Sequence, residues 1–179
     1  MARWIWIFYF YSFGGYLLEK GFARVTRAAN QSRKCLLFLP LCPVYGLALA
    51  AVLALPAPLT RWPVLPFAAA AVTTGVEYIY HWGCETFLGV RFWDYSGTWG
   101  SFQGRVCLPF TLAWGLLTAA AVGLFQPLLE RLIPLIPPWA ALAAVLALTA
   151  DAVCTVRYLA VTHNPANLSP ARLRLREGR

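Results

Sequence analysis

A chain of 179 residues is long enough for one domain. Hydrophobic residues make up 60% of it and charged residues 12%, against about 45–50% and about 25% in soluble globular domains. That much apolar surface excludes water as the main solvent and points to lipid. The net charge of +8 would suit nucleic acid if it were clustered on a soluble face, but its distribution assigns it to membrane topology instead.

Five apolar runs can each supply about 20 residues, the length a bilayer requires: about 3–20, 36–55, 63–85, 107–130 and 139–160. The expected fold is therefore all-α, an integral membrane bundle of about five helices in a single domain over residues 1–162, followed by a basic tail over 163–179. With the amino terminus outside, the inner face collects Lys20, Arg24, Arg27, Arg33, Lys34, Arg91, Arg105, Arg157, Arg172, Arg174, Arg176 and Arg179. Only Arg3, Arg61 and Arg131 remain outside. This is the positive-inside pattern of a multi-pass protein of the cell membrane with its carboxyl terminus in the cytoplasm. It needs no nucleic acid to account for the charge.

The first run is rich in aromatic residues, has almost no basic region before it and lacks a small-x-small cleavage site. It reads as a retained span rather than a signal peptide. Next comes "LPLCPVYG" (39–46), whose two prolines each remove a donor and crowd the preceding turn. A regular helix is expected to start only at Pro43, with 36–42 extended or kinked. "LPAPLTRWP" (55–63) and "IPLIPP" (133–138) read as short outer turns.

Two hairpins show a parallel pattern. Arg33-Lys34-Cys35-Leu36 leads to Tyr45-Gly46-Leu47, and Arg105-Val106-Cys107-Leu108 leads to Trp114-Gly115-Leu116. Glu19 closes the first span and Glu85 the third. The expectation is two parallel two-helix repeats plus one extra helix, related by an axis along the membrane normal.

Ionisable residues inside spans cost about 2.5–3.5 kcal/mol each near a helix centre, so each is a candidate for function. In the third span Glu77, His81 and Glu85 recur every four residues and form one stripe. Glu19, Arg33, Asp94 and Arg105 join them on the inner side by topology. The loop "RFWDYSGTWGSFQGR" (91–105) contributes Trp93, Asp94, Tyr95 and Arg105 and is expected to fold back over the helix ends. Four chemistries fit this cluster. Arg33 and Arg105 can neutralise Glu19, Glu85 or Asp94 as structural pairs. The Glu77–His81–Glu85 stripe can line a solute path or relay protons. A carboxylate or His81 can act as a general base while the arginines hold phosphate. Glu77, His81, Cys84 and Glu85 are plausible metal ligands by type, although their crowding on one helix matches no known site.

Asp151, in the fifth run, is expected to accept an interhelical hydrogen bond from a Thr, Tyr or Trp. Glu130 and Arg131 fall at the outer end of the fourth run. Five cysteines without a CxxC pair read as small buried hydrophobes. There is no GxxxxGK[ST], HExxH or G-x-S-x-G motif, so the chain carries no ATP-binding loop, no recognised hydrolase site and no cofactor motif.

Four stretches, "YSFGGYLLE" (11–19), "CPVYG" (42–46), "VEYIYHWGCETFLGVRFWDYS" (76–96) and "GRVCLPFTLAWG" (104–115), resemble the bacterial family labelled putative ABC-transporter type IV, or putative ABC transporter permease. The resemblance covers about residues 8 to 133. It implies a multi-pass membrane protein and marks Glu19, Tyr45, Glu77, Glu85, Trp93, Asp94, Tyr95, Gly104, Arg105 and Trp114 as motif positions. Leu39-Pro40 stands where the family has glycine-proline, and Gln103 where an asparagine is common. The resulting expectation is a small transport component, in contact with membrane lipids, assembling as a homo-oligomer or beside a separate ATPase. An intramembrane enzyme acting on a lipid or phosphate-bearing substrate and a purely structural protein are the alternatives.

Overall fold

The computed structural model describes residues 1–26, 37–165 and 168. Arg33 and the basic tail beyond 168 lie outside the described residues. The chain is almost wholly helical, as expected. Helix α1 spans Ala2–Val25, α2 Pro43–Leu53 and α3 Leu65–Leu88. Helix α4 (Leu108–Ala120) runs through a π-helical turn, Ala121–Phe125, into α5 (Gln126–Leu132), and α6 spans Pro138–Thr162. A two-residue β-hairpin, β1 (Ser101–Phe102) with β2 (Val106–Cys107), closes the loop before α4.

Two helical stretches are long and apolar enough to cross a membrane, Leu108–Leu135 and Pro138–Thr162. Helices α1 and α3 have 24 residues each, about 36 Å at 1.5 Å per residue. Their Tyr, Trp, Glu and Lys side chains lower the mean hydropathy. The second run starts its helix at Pro43, as expected, and is helical over only the 11 residues Pro43–Leu53 of the span read at 36–55, about 16 Å, or half a bilayer core. The cause is in the sequence: Pro43 takes the first helical position, where no N–H is needed, and Cys42 before it is extended at φ −111°, ψ 93°.

The non-helical backbone ahead of α2 needs hydrogen-bond partners, and Asp151 supplies them. From the middle of α6 its Oδ1 accepts the Phe38 N–H at 3.1 Å and its Oδ2 the Leu39 N–H at 3.0 Å. The Thr155 hydroxyl, one turn on, lies 3.5 Å from Oδ1, and Cys42 N–H donates to the Ser12 carbonyl at 2.8 Å. Asp151 thus accepts mainly from main-chain amides rather than from the side-chain donor expected. Irregular backbone is tolerated in an apolar medium when protein groups satisfy it in this way.

Helices α1 and α2 pair as one hairpin, α3 and α4 as another. Each pair crosses at a glycine. A Cβ on Gly46 would stand 2.6 Å from the Phe8 carbonyl oxygen and against Ser12, one turn further along α1. A Cβ on Gly115 would stand 2.6 Å from the Pro66 carbonyl oxygen and 2.8 Å from Ala70 Cβ, again one turn apart on α3. Phe8 and Ser12 therefore occupy in the first hairpin the places of Pro66 and Ala70 in the second. Glu19 lies seven residues beyond Ser12 and Glu77 seven beyond Ala70. This geometry makes Glu77, not Glu85, the counterpart of Glu19.

Helix α3 stops at Gly89, left-handed at φ 63°, where the Gly89 and Val90 amides return to the Glu85 and Cys84 carbonyls. Outside the crossings the surface is strongly apolar: Phe67, Phe87, Leu124 and Trp139 are each more than 70% exposed.

Candidate functional site

Between the two hairpins lies a cavity of about 330 Å³. Tyr45 and Trp114, each one residue before its crossing glycine, meet edge to face with ring centroids 4.8 Å apart and both line the cavity. The carboxylates of Glu19 and Glu77 line it as well. The Tyr45 hydroxyl donates to Glu19 Oε1 at 2.7 Å, and the Tyr95 hydroxyl donates to Glu77 Oε1 at 3.2 Å. Glu77 is only 5% exposed.

The loop supplies the remaining wall. After α3 ends, the chain folds back across the ends of α3 and α4, with Trp93, Asp94 and Tyr95 reaching the cavity. Several bonds hold it there. Trp93 Nε1 donates to the Arg105 carbonyl at 2.9 Å, the Tyr95 amide donates to the Gly104 carbonyl at 2.8 Å, and the Tyr95 ring stacks on Phe110 at 5.0 Å. Burial and the nearby Glu77 charge push the Tyr95 phenol well above its usual range, so it stays a proton donor to that carboxylate. Asp94 Oδ1 accepts from the Ser96 amide at 2.9 Å and the Ser96 hydroxyl at 2.6 Å. These bonds hold the Asp94 carboxyl below its ordinary value. Gly104 adopts φ 70°, and a Cβ there would come within 2.8 Å of Asp94 Oδ1. Gln103 is also left-handed, at φ 53°, a conformation asparagine accepts more readily, which explains the asparagine expected at that position.

The polar cluster read from the sequence divides in two. Glu19, Tyr45, Glu77, Trp93, Asp94, Tyr95 and Trp114 share the cavity. Glu85 and Arg105 form a separate network. Glu85 Oε2 accepts from Arg105 Nε at 3.0 Å and Nη2 at 2.9 Å, and Oε1 accepts from Arg91 Nε at 2.7 Å. Arg105 Nη1 also donates to the Tyr78 hydroxyl at 3.1 Å and to Gln103. Glu85 is the largest influence holding Arg105 in its charged form. His81 sits between the two groups, 2% exposed, its ring edge-on to Trp93 at 4.8 Å, with no hydrogen bond at either nitrogen. The stripe therefore forms no bonded relay from Glu77 through His81 to Glu85. Among the described residues no three His, Cys, Asp or Glu side chains converge as metal ligands.

Arg91 was placed on the inner side by the sequence but not named as a site residue, although its place six residues after Glu85, just past the helix end, was the available signal. Thr73, Thr118 and Phe110 of the cavity wall carried no such signal. Because Arg91 and Arg105 both hold Glu85, Arg105→Ala leaves that carboxylate paired. We expect a modest fall in Tm in detergent, smaller than for loss of an unduplicated buried partner; a fall as large as that of Asp151→Ala would show that Arg91 does not compensate.

At the far end of the bundle, Arg3 Nε donates to Glu130 at 3.0 and 3.1 Å, tying α1 to α5. Cys42, Cys84 and Cys107 are free and buried, and Cys154 is free and exposed.

No curated protein and no solved structure matches the chain. A family model described as putative ABC-transporter type IV matches residues 6–156, which contain both hairpins, the cavity-lining loop and most of α6, and the chain belongs to that family.

Proposed function

We propose that the chain is the membrane component of a transporter, crossing the bilayer with five segments, the second completed by the non-helical stretch ahead of α2, amino terminus outside, and that the cavity between its hairpins is the solute or ion path at the inner leaflet. The observation that carries the reading is Glu77, a carboxylate 5% exposed on the cavity wall, which accepts from the Tyr95 phenol and has no Lys or Arg pair among the described residues. A structural carboxylate in an apolar medium needs a cation or several hydrogen-bond donors, as Asp151 has in two main-chain amides, because leaving one buried and uncompensated costs several kcal/mol. One that faces a cavity can instead serve what enters the cavity. The family's transporter name supports the same reading. The exposed apolar surface of α4 and α6 supports contact with lipid. The same family description, an ABC transporter, supports association with an ATPase subunit.

Two measurements test this. In a cysteine-free background, Thr118→Cys on the cavity wall is expected to react with a membrane-impermeant thiol reagent; no labelling from either side of the membrane rejects the path. Glu77→Gln keeps an acceptor for Tyr95 and removes the buried charge, so its Tm in detergent is expected to equal or exceed that of the natural protein. A clear fall would assign Glu77 to a structural ion pair instead.

A further inference from the structure

We infer that the cavity is a binding site for an organic cation, an alkylammonium group set against Glu77 and enclosed by aromatic rings. The inference rests on the cavity being the substrate path and names the class of ligand it takes.

Charge is the first argument. Glu19, Glu77 and Asp94 line the cavity, and no Lys, Arg or His stands among its described lining residues. The chain as a whole carries +8, so a wall whose described residues include three carboxylates and no basic group runs against the bulk composition. The arginines nearest in sequence are held elsewhere, by Glu85. An anionic or phosphate-bearing ligand would meet the Glu77 carboxylate, which has no Lys or Arg pair among the described residues.

Shape and surface then choose among cations. A space of about 330 Å³ falls at the lower end of the range for small-molecule sites, about 300–1,000 Å³, and far exceeds what a bare ion fills. The described residues bring no metal-ligand group together, so a dehydrated divalent ion lacks its oxygen shell. What the wall offers beside carboxylate is aromatic surface: Tyr45, Trp93, Tyr95, Phe110 and Trp114. Aromatic faces attract alkylated ammonium groups and stabilise them more as water is excluded. Buried Glu77 supplies the counter-charge that the rings alone cannot.

An apolar groove lies beside the cavity, lined by Phe10, Leu18, Leu117 and Phe125, and the two share Tyr45, Leu49, Trp114 and Thr118 as wall. The alkylammonium group can therefore belong either to a water-soluble amine or to a lipid headgroup whose chains remain on the apolar side.

The test uses the full chain purified into phosphatidylglycerol nanodiscs, titrated calorimetrically with tetramethylammonium chloride against sodium chloride at equal ionic strength. Saturable tetramethylammonium binding is expected, about tenfold or more weaker in Glu77→Gln and weakened also in Trp114→Leu, which keeps the carboxylate and removes a ring. Glu130→Gln, remote from the cavity, is expected to bind as the natural protein does. Absence of saturable binding, equal binding by sodium, or undiminished binding in both cavity variants overturns the inference. Replacing part of the phosphatidylglycerol with phosphatidylcholine distinguishes the sources: competition identifies a lipid headgroup, and unchanged binding a soluble amine. Failure here is separable from failure of the transport reading. Glu77-dependent binding without labelling of Thr118→Cys refutes the path and keeps the cation site. Labelling without tetramethylammonium binding refutes the cation site and keeps the path.

Discussion

Asp151→Ala is expected to destabilise the protein by at most roughly 2–6 kcal/mol, the cost of stranding two part-buried backbone donors at up to about 1–3 kcal/mol each. The Phe38 and Leu39 amides have Asp151 as their acceptor, and they belong to a segment with no helical ladder to fall back on. In water such amides would be solvated after the mutation; in an apolar setting nothing replaces the carboxylate. Asp151→Asn retains one acceptor oxygen in place of two, so its loss should be intermediate. Thermal unfolding in detergent ranks the three proteins, and limited proteolysis near residues 37–42 locates the damage. If Asp151→Ala melts with the natural protein, the carboxylate is not what orders this segment.

The same residue shows where sequence reasoning stops. An aspartate in an apolar run announces that it has a partner, because an unpartnered one would be too costly. It does not announce which partner, since the contact joins residues more than a hundred positions apart through main-chain atoms that every residue possesses. The helices were legible for the opposite reason. Their bounds depend on local composition: Pro43 starts α2, Gly89 ends α3, and the prolines near 133–138 separate α5 from α6. The proline-rich second run was legible too, since a start at Pro43 and a turn from residue 55 leave room for little more than the 11 helical residues it has.

The polar cluster was legible as a set of residues but not in its pairing. Stripe periodicity placed Glu77, His81 and Glu85 on one face of α3, and that face is indeed where Glu77 and His81 are buried. Periodicity along a helix says nothing about depth, however. Glu85 lies two turns beyond Glu77, far enough to leave the cavity and meet Arg91 and Arg105 at the loop. Tyr45-Gly46 and Trp114-Gly115, matched to each other in the sequence, each stand at a close backbone approach, whereas Glu85, matched there to Glu19, lies two turns beyond Glu77, the glutamate seven residues past that approach on α3.

That close approach sets the second large effect. Gly46→Leu and Gly115→Leu are each expected to destabilise by more than the roughly 1–3 kcal/mol of ordinary overpacking. Even the first carbon added meets a main-chain carbonyl at 2.6 Å in both cases, and a carbonyl within a helix cannot turn aside as a flexible side chain can. The hairpin arms must separate, which moves Tyr45 and Trp114 apart and opens the cavity between them. Helix propensity alone predicts the reverse, since glycine is about 1 kcal/mol worse than alanine in a helix interior. Gly14 and Gly75 isolate that term, having nothing within 4 Å of an added Cβ. Gly14→Ala and Gly75→Ala should therefore raise Tm in detergent, while Gly46→Ala and Gly115→Ala should lower it. Should all four alanine variants shift Tm in the same direction, the crossings do not constrain the hairpins, and the equivalence of Glu19 with Glu77 would lose its geometric basis.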